Sequence, residues 1–498
     1  MRDNQLEYAA PEALGIPSQA ITAFLNTMRE YQFPIHSYIV MRHGIIAAEG
    51  YTPPFSAEKK HRMYSVSKSF TSVAIGMLVT EGRLKLDDKV ADFFPEYLPE
   101  HPSPYTLRAT IRDLLRMATP NEDNSYDWGD PDFVKTFFDN RKPKHEPGTV
   151  FHYDTAGTTT LCAIVEKIAG MPILDYMRPL LDALGISKDI WCIQTPEGRS
   201  WTGSGILCTS RDLLRFGLFC LNRGEWNGQQ LVDRQYMMAA TSRQIDTTVA
   251  QTDYIRNGYG YQFWMLKDDG FACCGMGCQF AFMMPHQDTV MVITADTQGI
   301  NNAEDAIKYA FYHLVDSMAE GPLPENPVAL QELQQATDAM ALPLPRGTKS
   351  SPLAAKISGT TYQFEENLFG FQWMRVDMSD DDVTLTYEKP SGVHSFSLGL
   401  GKWKDILFPD AYAGKNIAVM DTRYQCVSAM AWSSDNTLLG KVFSVDNYLG
   451  CIKMQFTFTG DGLTIFWTKF AENFFGDYRG YICGTAVHPS NLTEDNAR

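Results

Sequence analysis

The sequence predicts two domains of different class: an α/β (α+β) unit over residues 1–320, and an antiparallel β domain, barrel or sandwich, over 353–498. Three observations lead there. Hydrophobic patterning in the first stretch runs helix, hairpin, a mostly helical middle, returning strands, helix, so one sheet is built from both ends of the segment with a helical insertion between. A Pro- and Gly-rich break follows, Gly321-Pro-Leu-Pro-Glu-Asn-Pro and then Pro343, Pro345, Gly347 and Pro352. It reads as a linker over 321–352 holding one short helix. Beyond it, alternating segments such as Val383-Thr-Leu-Thr-Tyr and Lys453-Met-Gln-Phe-Thr-Phe-Thr recur between Gly or Asp turns, a pattern of half-buried antiparallel strands.

The elements follow in chain order. Residues 17–31 place Ile21, Phe24, Leu25 and Met28 at helical spacing. Ser37-Tyr-Ile-Val-Met-Arg and Ile45-Ile-Ala-Ala-Glu flank His43-Gly44 as a β-hairpin. After Pro53-Pro54, Tyr64 to Glu81 reads as a helix closed by Gly82. Helical stretches continue at 106–117, 158–170, 172–183 and 209–222. Strand signals return at 259–266, 279–284 and 289–296, and a helix at 303–318 ends the unit.

Bulk composition narrows the function classes. The 498 residues carry 43 Lys plus Arg against 59 Asp plus Glu, a formal net charge of −16. That excess disfavours nucleic-acid and anionic-membrane surfaces as partners. No run approaches the roughly 20 apolar residues of a membrane helix. The start, Met1-Arg-Asp-Asn-Gln-Leu-Glu-Tyr, lacks a signal-peptide pattern. With ten scattered cysteines and no Cys-x-x-Cys pair, the reading is a cytoplasmic protein with reduced thiols and no structural metal. A small-molecule substrate is the expected partner, and a homo-oligomer is compatible.

Three segments can carry chemistry. Ser65-Val-Ser-Lys68 opens the 64–81 helix, so the Lys68 amine stands one turn from the Ser65 hydroxyl. A hydroxyl becomes a nucleophile when a neighbour takes its proton, and a buried amine serves if desolvation lowers its pKa. By itself a Ser here is an ordinary helix cap, and Ser56-Ala-Glu-Lys59 repeats the spacing in a loop. Tyr153 lies between the Pro147-Gly148 turn and a helix; as a base it needs a cation such as Lys68. Cys273-Cys-Gly-Met-Gly-Cys-Gln279 precedes a strand; its glycines admit close backbone approach, and its N–H groups suit an oxyanion. The stretch Asn124-Ser-Tyr-Asp-Trp128 reads as a cleft wall or a solvated loop with one anchored Trp.

Tyr64-Ser-Val-Ser-Lys-Ser-Phe, Ala109-Thr-Ile-Arg-Asp-Leu-Leu-Arg-Met and Pro147-Gly-Thr-Val-Phe-His-Tyr together resemble the serine β-lactamase/penicillin-binding-protein superfamily. Further matches are Gly203-Ser-Gly-Ile-Leu-Cys-Thr-Ser-Arg-Asp-Leu-Leu-Arg-Phe-Gly, Asn222-Arg-Gly-Glu-Trp-Asn-Gly-Gln-Gln-Leu-Val and Gly258-Tyr-Gly-Tyr-Gln-Phe-Trp. The class C β-lactamase-like hydrolases, including esterases and 6-aminohexanoate-dimer hydrolases, are the most similar branch. The resemblance covers about residues 10–318.

It implies an antiparallel sheet flanked by helices, with a helical lobe. It also implies an acylated Ser65, its partner Lys68, the shared acid/base Tyr153, an oxyanion hole from the Ser65 and Gln279 N–H groups, and no cofactor. Two departures follow. Tyr-x-Asn is here Tyr153-Asp-Thr155, and the Lys-Thr-Gly or His-x-Gly motif is here Met276-Gly277-Cys278, without a cation for a substrate carboxylate. With Trp128, these four residues are the expected substrate-binding positions, and they favour a neutral ester or amide over a penicillin or cephalosporin. Peptidase or acyltransferase chemistry uses the same acyl-enzyme, and a catalytically silent binding module is the reading of a different class.

Overall fold

The computed structural model describes residues 6–122, 130–139, 141–247, 257–409, 424–446, 449–470 and 479–487. The chain divides into two compact units, Met1–Leu342 and Pro343–Arg498.

The first unit is built on a seven-stranded sheet. Its strands in chain order are β1 (Glu7–Tyr8), β2 (Ile35–Arg42), β3 (Ile45–Tyr51), β4 (Trp264–Met265), β5 (Phe271–Gly275), β6 (Gln279–Met284) and β7 (Thr289–Ala295). They lie in the spatial order β1-β3-β2-β7-β6-β5-β4. Every pairing is antiparallel except the short β1–β3 edge. The β2–β7 ladder, Thr289↔Arg42 through Thr294↔Ser37, joins the two ends of the segment.

Both faces of this sheet are covered, and strand alternation sorts the side chains. Tyr38, Val40, Phe280, Phe282, Met291 and Ile293 share a core with Ile21, Phe24 and Met28 of α1 (Ser18–Glu30). On the other face, a Cβ at Gly217 would meet Val290, Met283 and Ala281. Glycine there lets the helix Ser210–Leu221 lie close on β6 and β7. That helix starts in a Thr209–Asp212 capping box and stacks its Phe216 on Phe70 at 3.8 Å. The expected strand 259–266 shrinks to Trp264–Met265, whereas Phe271–Gly275 is a strand that no alternation announced. The helix expected within the 321–352 break, Pro327–Asp338, packs on α1, buries Ala329 and Leu333, and bonds Thr337 to the Tyr38 hydroxyl at 2.7 Å.

The second unit is a closed nine-stranded barrel. Eight antiparallel pairings run in order through Gly392–Leu400, Asp382–Lys389, Trp373–Met378, Thr360–Phe364, Arg479–Ala486, Gly462–Phe470, Leu449–Thr459, Thr437–Val445 and Gln425–Ser434. A parallel contact, Gly399↔Ala429 and Leu400↔Met430, closes the ring. Lys404–Leu407 adds a short flap on Gln425–Ser434. Alternate residues such as Met374 and Val376, Leu385 and Tyr387, and Ile465 and Trp467 fill the interior.

Arg42 fastens the first unit. Only 5% exposed, its guanidinium donates to Leu14 O at 2.9 Å, Ala319 O at 2.8 Å, Gly15 O at 3.3 Å and Gln287 O at 3.0 Å. Arg42→Met leaves these carbonyls short of donors, and the expected cost is about 1–3 kcal/mol. Urea unfolding of the full chain, followed by tryptophan fluorescence, reads this as an earlier midpoint.

Candidate active site

The chain enters the site along a short strand. His61 pairs with Cys208 and Arg62 with Leu207, and the Met63 N–H donates to Ile206 O at 2.9 Å. The Arg62 guanidinium is buried between the rings of Tyr64 (4.5 Å) and Trp201 (5.3 Å) and donates to Ser204 O at 3.0 Å. Tyr64 takes a left-handed φ of 48°, a strained conformation for an aromatic residue. A 3₁₀ turn, Tyr64–Val66, then carries Ser65, and α2 (Ser67–Thr80) follows it directly, three residues after the expected start at Tyr64. Ser67 Oγ accepts from Ile206 N at 2.9 Å, which ties the start of α2 to the same ribbon.

Ser65, Lys68 and Tyr153 meet. Lys68 Nζ donates to Ser65 Oγ at 3.1 Å and to the carbonyl of Gly203. The Ser65 hydroxyl is close enough to the Tyr153 phenol to act on its proton affinity, and the Tyr153 ring centroid lies 5.1 Å from Lys68 Nζ. Lys68 is 1% exposed, whereas Ser65 and Tyr153 are only partly covered.

Burial lowers the Lys68 amine to about 7, and the nearby Asp154 carboxylate partly opposes the fall. Burial raises the Tyr153 phenol; the neighbouring Ser65 hydroxyl counters it, and the Glu304 carboxylate adds to it. At neutral pH the phenol therefore keeps its proton while the amine gives its proton up readily. Asp154 is itself raised by burial. It caps α3 (Thr155–Ala169) by accepting from Ala156 N at 2.9 Å, and it takes the Thr119 hydroxyl at 2.8 Å.

The expected oxyanion hairpin lies against the Ser65 turn. Its contact limb is that of Gly275: a Cβ there would stand 2.3 Å from Met63 O. A Cβ at Gly277 would instead meet the Gln279 amide at 3.2 Å, then Ala295 O and Asp296 at 3.5 Å. Met276 is partly exposed on the turn, and Cys278 is buried at a left-handed φ of 69° with its Sγ 2.8 Å from Thr297 Oγ1. Thr155 is the first residue of α3. Trp128 lies outside the described residues.

Sequence reasoning gave no role to four residues. Gly203 supplies the carbonyl that holds Lys68. Trp264 stacks on Tyr153 (5.5 Å, 20°), and Tyr259 stands edge-on to Trp264 at 4.7 Å. Phe151 completes this aromatic wall. All four lie in stretches whose family resemblance was visible, yet nothing in the residue types says which atom faces the serine. Among the described residues, no group of three His, Cys, Asp or Glu side chains is placed to hold a metal ion. No described helix is long and apolar enough to cross a membrane.

The family model of the beta-lactamases matches residues 20–314. The chain belongs to the beta-lactamase family. It is 27% identical over 281 residues to a 6-aminohexanoate-dimer hydrolase of Paenarthrobacter ureafaciens, covering 51% of this chain and 71% of that protein. A 96-residue stretch is 32% identical to the human mitochondrial serine beta-lactamase-like protein, 14% of this chain and 18% of that one. Among solved structures, a Bacillus anthracis protein assigned as a 6-aminohexanoate-dimer hydrolase shares the fold at TM-score 0.50 and 18% identity. That match covers 64% of this chain and 89% of the other. This beta-lactamase-family chain is thus of a hydrolase fold with hydrolase relatives.

Gly275→Ala sets a Cβ against the Met63 carbonyl, closer than any relaxed contact. The expected loss is about 1–3 kcal/mol of stability, seen in a thermal melt. Gly321→Ala meets nothing within 4 Å, and its melt is expected to overlay the wild type.

Proposed function

We propose that the chain is a serine hydrolase that cleaves a carboxylic ester or amide through an acyl-enzyme on Ser65. The observation that carries this reading is the Ser65 hydroxyl joined at once to a buried amine with a pKa near neutrality and to a protonated phenol.

The roles follow from those states. Above pH 7 the neutral Lys68 amine keeps an N–H on Gly203 O and offers its lone pair to the Ser65 proton. Ser65 Oγ bonds to the substrate carbonyl carbon, and the oxyanion faces backbone N–H groups of the Ser65 turn and the hairpin. The hairpin limb that approaches Met63 is the Gly275–Met276 limb. We therefore assign the second donor to Met276 N–H in preference to Gln279 N–H. Tyr153 protonates the leaving group as the carbonyl re-forms, and the proton held by Lys68 replaces the one it gave. In the second half, water attacks the acyl carbon, its proton passes to the same pair, and Ser65 departs protonated.

The substrate class follows from the walls. By the family resemblance, Met276-Gly277-Cys278 replaces a motif whose cation would grip a carboxylate, and the partly exposed Phe151 and Tyr153 are backed by the buried rings of Tyr259 and Trp264. A neutral acyl group with apolar character fits that surface. Thr155, Gly277 and Cys278 bound the cleft on this reading.

Two measurements test the proposal. A fluorophosphonate is expected to label the wild-type protein at Ser65, and Ser65→Ala is expected to lose labelling and about 10³-fold or more of nitrophenyl-ester turnover. Equal labelling of both proteins refutes it. The pH profile has a definite sign: the Lys68 amine is lowered to about 7, so kcat/KM rises with pH through a midpoint near 7 and then levels, because only the neutral amine accepts a proton. A rate that is flat from pH 5 to 9 contradicts Lys68 as the base.

A further inference from the structure

Gln279 is fully buried, and its carboxamide is used completely. Nε2 donates to Met276 O at 3.0 Å and to Ala295 O at 2.6 Å, while Oε1 accepts from Ala295 N at 3.3 Å. A side-chain amide that meets both the N–H and the C=O of one residue takes the place of a neighbouring strand.

The local sheet shows why such a substitute is needed. Backbone pairing of β6 with β7 ends at Phe280↔Ile293. On the opposite edge, β7 shifts register between Thr294 and Ala295 before meeting Ile35. The Ala295 peptide therefore has no β6 backbone partner in the ladder, and the Gln279 side chain supplies one. The same stretch of chain holds the turn at two more points. Thr297 N donates to Gly277 O at 3.2 Å, and Cys278 Sγ lies 2.8 Å from Thr297 Oγ1. Gly277 and Cys278 both sit at left-handed φ, 75° and 69°. For Cys278 that conformation is costly, so the turn keeps its shape only where its surroundings impose it.

We propose that the Gln279 carboxamide is a positioning residue: it locks the Gly275–Gln279 hairpin to Ala295–Thr297 and so holds the hairpin N–H at the oxyanion. It touches neither substrate nor the reacting atoms, and it acts through the peptide it braces. This rests on the serine-hydrolase reading. It also moves the contribution of Gln279 from its backbone, where the family resemblance put it, to its side chain.

The full-length wild type is compared with Gln279→Met and Gln279→Glu by steady-state turnover of a nitrophenyl ester and by thermal melting. Active sites are titrated to completion with a fluorophosphonate. Gln279→Met keeps the bulk and removes the amide; Gln279→Glu keeps an acceptor for Ala295 N but turns an oxygen toward two carbonyls. In both variants kcat per titrated site is expected to fall about 10–100-fold while KM stays within about threefold, because misplacement of a preorganised donor is felt in the transition state and not in binding. Unchanged kcat per site in both folded variants, with only a lower melting midpoint, overturns the proposal. So does failure of both variants to fold, which makes the amide a strut of the whole sheet. A wild type that neither turns over the ester nor labels at Ser65 sinks the hydrolase reading itself, and it does so before any substitution at 279 is made.

Discussion

The Lys68 amine rests on a hydroxyl and a carbonyl, out of reach of water, with no carboxylate bonded to it among the described residues. Charge in such a place is unfavourable, and this one cost sets the division of labour. It lowers the Lys68 amine to about 7, and the same desolvation raises the Tyr153 phenol, so that in the proposed mechanism the first accepts a proton and the second donates one. On the proposed reading, acid and base are assigned by burial, and Asp154 tempers the outcome from the cap of the next helix. The remaining architecture keeps the three groups in register: the ribbon with Ile206–Cys208, the Arg62 stack and the Phe70–Phe216 contact all fix the turn that bears Ser65.

A second constraint is the closeness of two backbones. The Ser65 turn and the hairpin approach until only glycine fits at 275. Van der Waals contact there leaves no slack, so the geometry at the serine inherits any movement of the hairpin. This is why strained residues gather on both sides, Tyr64 before the serine and Cys278 in the turn. Their unfavourable conformations are imposed by surrounding hydrogen bonds, which make the position of each peptide well defined.

Much of this was legible in the chain, and the illegible parts have physical causes. The 37–49 hairpin was readable because a tight Gly turn separates two apolar runs, and α2 because Phe70, Ala74, Met77 and Leu78 recur before a closing Gly82. The strand Phe271–Gly275 left no trace: it is buried along its whole length and made of small residues, so period-two alternation is absent. The aromatic run at 259–266 imitates a strand, yet its rings turn to different neighbours, Tyr259 and Trp264 to Tyr153, Tyr261 to Tyr236 and Phe263 to Phe271, and only Trp264–Met265 pairs in the sheet. The Pro327–Asp338 helix looked like part of a linker because only Ala329 and Leu333 mark its buried face. At the site, residue types pointed to Ser65, Lys68 and Tyr153, which the structure does bring together. The carbonyl of Gly203 and the side-chain use of Gln279 were invisible, since a backbone acceptor has no residue type and a glutamine next to a turn has many uses.

The sheet of the first unit has a consequence for how the polypeptide matures. Strand β2, covered along its entire length, finds its central neighbour only when β7 has been made, and residues 52–288 all lie between them. On the ribosome β2 can pair with β3 at once, but its other edge must wait through the synthesis of every intervening helix. Such long-range closure is slow and leaves a sticky edge open to other chains. The edge of residues 35–42 that faces β7 is therefore the last seam of this sheet to close as the chain emerges.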